Sequence, residues 1–207
     1  MKQVVLYGGT FSPPHNGHLH AVRKVRELCS PDLVTVMPSH IPPHKAVGED
    51  DRPEVRYDMT RLAFCRETGY GTSLVVSDLE LQMGGKSYTV HTLERMASPD
   101  TQLTLLCGTD MFLTLDQWYC APRIFELAHI ALMRREDDDA VLEQIKQKKE
   151  QYEREFSAAV QILPARALEL SSTAIRQKIE AGESITDDVP PLVADYIERN
   201  GLYRRKG

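Results

Sequence analysis

Six short segments of this chain are apolar at almost every position: VVLY (4–7), LVTVM (33–37), LVVS (74–77), LTLLC (103–107), HIALM (129–133) and AVQIL (159–163). A strand with one face in water alternates apolar and polar residues, whereas a strand that is apolar throughout must be covered on both faces. Helical patterns fill the gaps. Ala21, Val22, Val25, Leu28 and Cys29 recur at helical spacing between the first two runs. Val55, Met59, Leu62 and Ala63 do so before the third, with Pro53 in the first turn. Residues 88–97 and 139–156 read as further helices. Strand runs alternating with helices predict an α/β fold: a doubly wound, mostly parallel sheet.

The end of the chain leaves this alternation. SSTAIRQKIEAG (171–182) reads as a short helix capped by Ser171 or Ser172 and stopped by Gly182. PPLVADYIERNG (190–201) repeats the design, with prolines at entry and Gly201 at exit. Nothing resembles a flexible linker, so the expectation is one domain over 1–207 with a small C-terminal helical extension from about 171. The acidic run REDDD (135–139) suits the solvated N-terminus of a helix.

A net charge of −5 argues against sequence-independent nucleic-acid binding, which depends on Lys and Arg neutralising phosphates. There is no apolar stretch of the ~18 residues a membrane span needs, and no signal-peptide pattern at the N-terminus. Cys29, Cys65, Cys107 and Cys120 are scattered without a CxxC pair, and the first three lie in apolar segments. They read as small core residues of a protein in a reducing compartment, hence a cytoplasmic location.

The densest local signal is LYGGTFSPPHNGHLH (6–20). In open α/β sheets ligands bind beyond the carboxyl ends of the strands, where the chain turns into a helix. Gly8 and Gly9 end the first strand and let backbone N–H groups approach an anion. The helix starting near Gly17 points its positive end the same way. The turn matches neither GxxxxGK[ST] nor GxGxxG. His15 and His18 lie three apart, and Gly17 is expected to keep the space beside His18 open. Three arrangements remain: a structural histidine pair, a transition-metal site on His15, His18 and His20, or a nucleotide-phosphate site. No carboxylate or Cys ligand accompanies the histidines, which weakens the metal. Only the phosphate site uses the glycines, the imidazoles and the helix start together. His20 faces elsewhere on the helix and reads as structural.

GGTF followed by H-N-G-H resembles the HxGH nucleotidyltransferase superfamily in its adenylyltransferase form. The further segments IPPHK (41–45), KSYTVHTL (86–93), GTDMFLTLDQW (108–118) and LSSTAIR (170–176) extend the likeness over nearly the whole chain. Their order and spacing are similar to the nicotinate-nucleotide adenylyltransferase family. The resemblance implies a Rossmann-like nucleotidyltransferase fold and an enzyme of NAD biosynthesis. Such an enzyme joins the AMP moiety of ATP to nicotinate mononucleotide, giving deamido-NAD and pyrophosphate without a covalent enzyme intermediate.

It implies His18 and His15 as catalytic residues on the ATP phosphates, with Gly8, Gly9, Thr10, Ser172 and Arg176 completing the ATP site. It implies an acceptor site from His44, Lys45, Ser87, Tyr88, Thr89, Asp110, Trp118 and Tyr119. Trp118 would stack on the pyridine ring, and Thr89 with backbone amides near Trp118 and Tyr119 would receive its carboxylate. Mg²⁺ would travel with ATP, with no metal site built by the protein. The expected partners are these two nucleotides, not nucleic acid or membrane, and no oligomeric state follows.

On composition alone, Trp118 reads more as core than as a ligand platform, and 171–182 by default as a capped surface helix, while Asp110 also reads as a helix N-cap and His44 and Lys45 as part of an exposed loop. Loop 38–52, with its Pro-Pro turn and acidic segment, is a lid candidate. Ser12 and His91 stand where the resembling family commonly carries Asp, which bears on the phosphate turn and on the acceptor helix. Nicotinamide mononucleotide or phosphopantetheine are alternative acceptors. A non-catalytic nucleotide sensor would retain the fold but lose HxGH or SSTAIR, and both are intact.

Overall fold

The computed structural model of the chain describes residues 1–43, 48–67, 73–134 and 138–204. Its strands are β1 (Lys2–Gly9), β2 (Leu33–Pro38), β3 (Ser73–Val76), β4 (Thr101–Cys107), β5 (Ala128–Arg134) and β6 (Val160–Arg166). All pair in parallel, in the order β3-β2-β1-β4-β5-β6. The helices are α1 (Asn16–Cys29), α2 (Pro53–Phe64), α3 (Leu79–Met83), α4 (Thr89–Met96), α5 (Thr109–Leu113), α6 (Ala121–Leu127), α7 (Asp139–Phe156), α8 (Ser172–Glu180) and α9 (Pro191–Arg199). This is the doubly wound α/β architecture that the apolar runs predict.

The runs are apolar throughout because each strand feeds two cores. Val5 joins Val22, Val34, Val36, Met59 and Phe64 on the face covered by α1, α2, α8 and α9. Val4 and Leu6, one position either side, join Leu93, Leu105, Phe112, Ile124, Ile130 and Tyr152 on the face covered by α4 to α7. The C-terminal helices are packed into the first core through Ile175, Val193, Ile197, Leu202 and Tyr203. In the second, the buried Tyr152 hydroxyl donates to the Phe112 carbonyl at 2.7 Å and to Asp116 at 3.1 Å, and Lys148 pairs with Asp116 at 2.7 Å.

Several local expectations change. The short helices α3, α5 and α6 carry too few turns to show periodicity in sequence. β6 lies a few residues further along than the run at 159–163. Of the two caps offered for α8, Ser171 is the one used, accepting from the Ala174 N–H at 3.1 Å. Asp138 caps α7, while 135–137 of the acidic run lie outside the described residues. Of the cysteines, Cys107 is core and Cys29 is half-buried, but Cys65 is exposed at the C-cap of α2. No helix among the described residues is long and apolar enough to cross a membrane.

Candidate active site

The strand order reverses between β1 and β4: the chain moves outward from β1 through β2 and β3, then returns to β4 on the other side. A crevice forms beyond the carboxyl ends of the strands at such a point, and it is the usual ligand site of open α/β sheets. Gly8 and Gly9 close β1 on one side of it, and Gly108 caps α5 after β4 on the other. A Cβ on Gly8 would meet nothing within 4 Å, whereas one on Gly9 would lie 3.0 Å from the ring of the buried Phe11. Gly9 is therefore required by packing, and Gly8 leaves open space above the strand.

The histidine turn follows directly. His15 is the N-cap residue of α1 and is buried, its ring stacked on that of His18 with centroids 3.6 Å apart. Phe11 contacts the His18 ring edge-on at 4.8 Å. The His15 backbone N–H donates to His18 Nδ1 at 3.0 Å. A neutral imidazole carries one ring proton, so an Nδ1 that accepts leaves that proton on Nε2. His18 is thereby oriented as a hydrogen-bond donor at the positive end of a 14-residue helix. Gly17 serves a different neighbour from the one expected. A Cβ there would lie 2.9 Å from His15 Nδ1, so it makes room for His15 rather than for His18. His20 binds the Arg166 carbonyl oxygen at 2.7 Å through Nε2, a structural contact.

α8 reaches this turn from the far end of the chain. Ser172 Oγ donates to the Pro13 carbonyl at 2.9 Å, and Arg176 Nη1 donates to the Ser12 carbonyl at 2.6 Å. The two residues expected at the ATP site are thus beside the histidine turn, holding its main chain. Ser12 is buried and its hydroxyl donates to Asp51, with the Tyr203 hydroxyl facing the same pair.

On the side expected to take the acceptor, the segments after β2 and before α4 are zipped together. Ile41 bridges Lys86, the Ser87 N–H donates to the Ile41 carbonyl at 2.9 Å, and the His40 N–H donates to Ser87 Oγ at 2.8 Å. Tyr88 caps α4, Thr89 is its first residue, and the exposed Tyr119 packs on Tyr88 with ring centroids 4.7 Å apart. His91 lies 5.7 Å from Tyr119 and 3.6 Å from Glu94. Trp118 is half-buried against the second core, so one part of it is packing and another is left at the surface. Its backbone N–H already donates to the Leu115 carbonyl at 3.2 Å, and so is engaged rather than waiting for a carboxylate. Asp110 is exposed in the first turn of α5; Gly108, not Asp110, is the cap. His44 and Lys45 lie outside the described residues.

Two buried charges beneath the site escaped the sequence reading. Arg56 on α2 is 0% exposed, and burial pulls its guanidinium below the ordinary range while Asp51 opposes that shift. Glu80 on α3 accepts from Thr92 Oγ1 at 2.6 Å and from Ser87, and burial pushes its carboxyl above the usual range. A signal for Arg56 existed: it sits three residues before Met59 and seven before Ala63, within the apolar stripe of α2.

Comparison with known proteins agrees with this geometry. The model of the cytidylyltransferase-like family matches residues 6–178, and the chain belongs to that family of nucleotidyltransferases. A curated relative from Desulfatibacillum aliphaticivorans, named "Probable nicotinate-nucleotide adenylyltransferase", is 36% identical, with 96% of this chain and 98% of the relative aligned. One of the same name from Clostridium tetani is 34% identical over 99% of this chain and 100% of its own. Within the wider family, the chain belongs with the nicotinate-nucleotide adenylyltransferases. In fold it resembles the solved Plasmodium falciparum nicotinic acid mononucleotide adenylyltransferase complexed with NaAD, with a TM-score of 0.74 at 17% identity and 98% of both chains aligned.

Proposed function

We propose that this chain transfers the AMP moiety of ATP to nicotinate mononucleotide. A 5′-phosphate oxygen of the mononucleotide attacks the α-phosphorus of ATP, the α–β phosphoanhydride bond breaks, and pyrophosphate leaves. Both reactants are phosphates, so the enzyme has to position them in line and stabilise charge on the equatorial oxygens. The observation that carries the reading is His18, whose Nδ1 accepts from the His15 N–H so that Nε2–H is the donor at the switch-point crevice. A donor held in place before reaction is what stabilises developing charge. His15, stacked on His18, and the Gly8–Gly9–Thr10 backbone line the phosphate path, and Ser172 and Arg176 hold that turn from α8.

Tyr88, Thr89, Asp110, Trp118 and Tyr119 are the acceptor side, with the half-buried Trp118 as the pyridine platform and Asp110 toward ribose hydroxyls. Since the Trp118 amide is engaged, Thr89 and the Tyr119 region carry the recognition of the carboxylate. A site built for a carboxylate rejects the amide by leaving polar groups unpaired. Among the described residues no three His, Cys, Asp or Glu side chains gather as an ion site, and Mg²⁺ enters this reading as part of the ATP substrate. The exposed free thiols Cys65 and Cys120 suit a reducing cytoplasm.

Pyrophosphate release with ATP, Mg²⁺ and each acceptor in turn tests this. The expected result is rapid release with nicotinate mononucleotide, slower release with the amide, and a loss of roughly a hundredfold or more in His18→Ala, the scale of removing one transition-state donor. Equal rates with both acceptors would refute the acceptor assignment. ATP binding without release would make the chain a sensor.

A further inference from the structure

Arg56 lies under both halves of the site and touches neither crevice. Its Nε donates to the Asp51 carbonyl at 2.8 Å, Nη1 to the Thr10 carbonyl at 2.9 Å and Nη2 to the His40 carbonyl at 2.7 Å, with Ser39 Oγ 3.5 Å from Nη1. One side chain thus joins the end of the phosphate turn, the exit of β2 and the 3₁₀ turn at Glu49–Asp51. The connection continues on both sides. The Asp51 carboxylate accepts from Ser12 within the phosphate turn. The His40 N–H donates to Ser87, which precedes the Tyr88–Thr89 start of α4 and also binds Glu80.

We propose that Arg56 is a positioning residue shared by the two substrate sites, holding the phosphate turn and the start of the acceptor helix at one fixed separation. This rests on the assignment of those two sites under Proposed function. A buried charge adds little net stability compared with an apolar residue of similar volume, so packing alone does not call for an arginine here. The planar fork does. It serves oxygens on three segments at once, whereas a lysine ammonium is a point charge on a flexible stem and cannot reproduce the fork. Three of its four partners are main-chain oxygens, so the contact sets backbone separation rather than side-chain placement. For an in-line transfer between two bound phosphates, that separation determines whether the attacking oxygen reaches phosphorus.

The test compares wild type with Arg56→Lys, using Arg26→Lys as a control. Arg26 is equally buried, on α1, and donates to the Glu67 carbonyl at 3.3 Å away from the site. Both variants should lower the melting temperature. Only Arg56→Lys should reduce kcat about tenfold or more in folded protein and raise KM for both ATP and the acceptor, on the scale of a misplaced reactant. A melting shift with kcat and both KM values unchanged would overturn the proposal. Should Arg56→Lys not fold, Asp51→Ala removes the Ser12 link on the phosphate-turn side and touches neither substrate site. It should raise KM for ATP and leave that for the acceptor unchanged, and a rise in both or neither overturns the proposal. Calorimetric titration with ATP and Mg²⁺ separates this from the reaction assignment. Wild type that binds ATP but releases no pyrophosphate defeats the assignment only, and the proposal then requires about tenfold weaker ATP binding in Arg56→Lys. Unchanged affinity, or wild type that binds no ATP, overturns the proposal.

Discussion

Replacing Gly17 with alanine adds one methyl group at the crowded point of the histidine turn. Its Cβ would lie 2.9 Å from His15 Nδ1 and 3.0 Å from Cε1. Carbon contacts are comfortable at about 3.5–4.0 Å, so the ring must retreat by roughly 0.6 Å or more. His15 is only 3% exposed and its ring lies 3.6 Å from that of His18, so a retreat either presses on His18 or turns His15 off its rotamer. The second costs about 0.5–1.5 kcal/mol. Alanine returns up to about 1 kcal/mol over glycine in a helix. The two nearly cancel, and the melting temperature should move by no more than about 4 °C in a protein of this size. Activity has no such compensation. A displacement approaching 1 Å at a reacting group can cost about a hundredfold, so kcat/KM should fall by about ten- to a hundredfold in a protein that melts almost normally. Pyrophosphate-release kinetics beside a thermal melt measure both quantities. Wild-type kcat/KM in Gly17→Ala would show that the His15–His18 stack does not set the donor, and the account of the turn would fail.

The buried carboxyl of Glu80 is pushed up by desolvation. In the window between the unfolded value of about 4.3 and the raised folded value, the native state binds more protons than the unfolded chain, so wild-type stability falls as pH rises through it. Relative to Glu80→Gln, wild type should therefore lose stability across that window and run parallel above it; denaturant unfolding at a series of pH values would show a constant difference if the reasoning is wrong. Among the thiols, Cys107 is buried and pushed up to about 12, while Cys65 and Cys120 are exposed. Thiol reagent should modify Cys65 and Cys120 in native protein and Cys107 only on unfolding, and saturating acceptor should slow labelling of Cys120 beside Tyr119. Labelling of Cys120 that ignores the acceptor would place the pyridine elsewhere.

Local chemistry is what the sequence shows best. The strands of the two-sided sheet were legible because a strand apolar on every residue has few other places to go. The histidine turn stands out because its glycines, histidines and helix start lie within fifteen residues. What stayed hidden depends on partners far along the chain. Arg56 meets Thr10 across 46 positions, and Ser12 meets Asp51 across 39, so although the α2 stripe marks Arg56 as buried, no local pattern announces either partner. The sequence marks Ser172 and Arg176, but not that their hydrogen bonds go to the carbonyls of Pro13 and Ser12. Gly17 was read against the wrong histidine because the ring stack, not the spacing, decides which imidazole lies over it. Trp118 could not be divided between core and platform from sequence; the structure packs part of it against the second core and leaves the rest at the surface.

The histidine turn is written in the first twenty residues, yet Ser172, Arg176 and Tyr203 all bear on it, and Asp188 accepts from the Asn16 N–H at the start of α1. Chains fold from the N-terminus as they leave the ribosome. Here β1 can emerge, and even find β2, long before the pieces that shape its loop exist. A nascent chain therefore cannot hold the turn in its final shape until α8 has emerged, and a product cut short before α8 would keep the histidines but lose the Ser172 and Arg176 bonds to the Pro13 and Ser12 carbonyls.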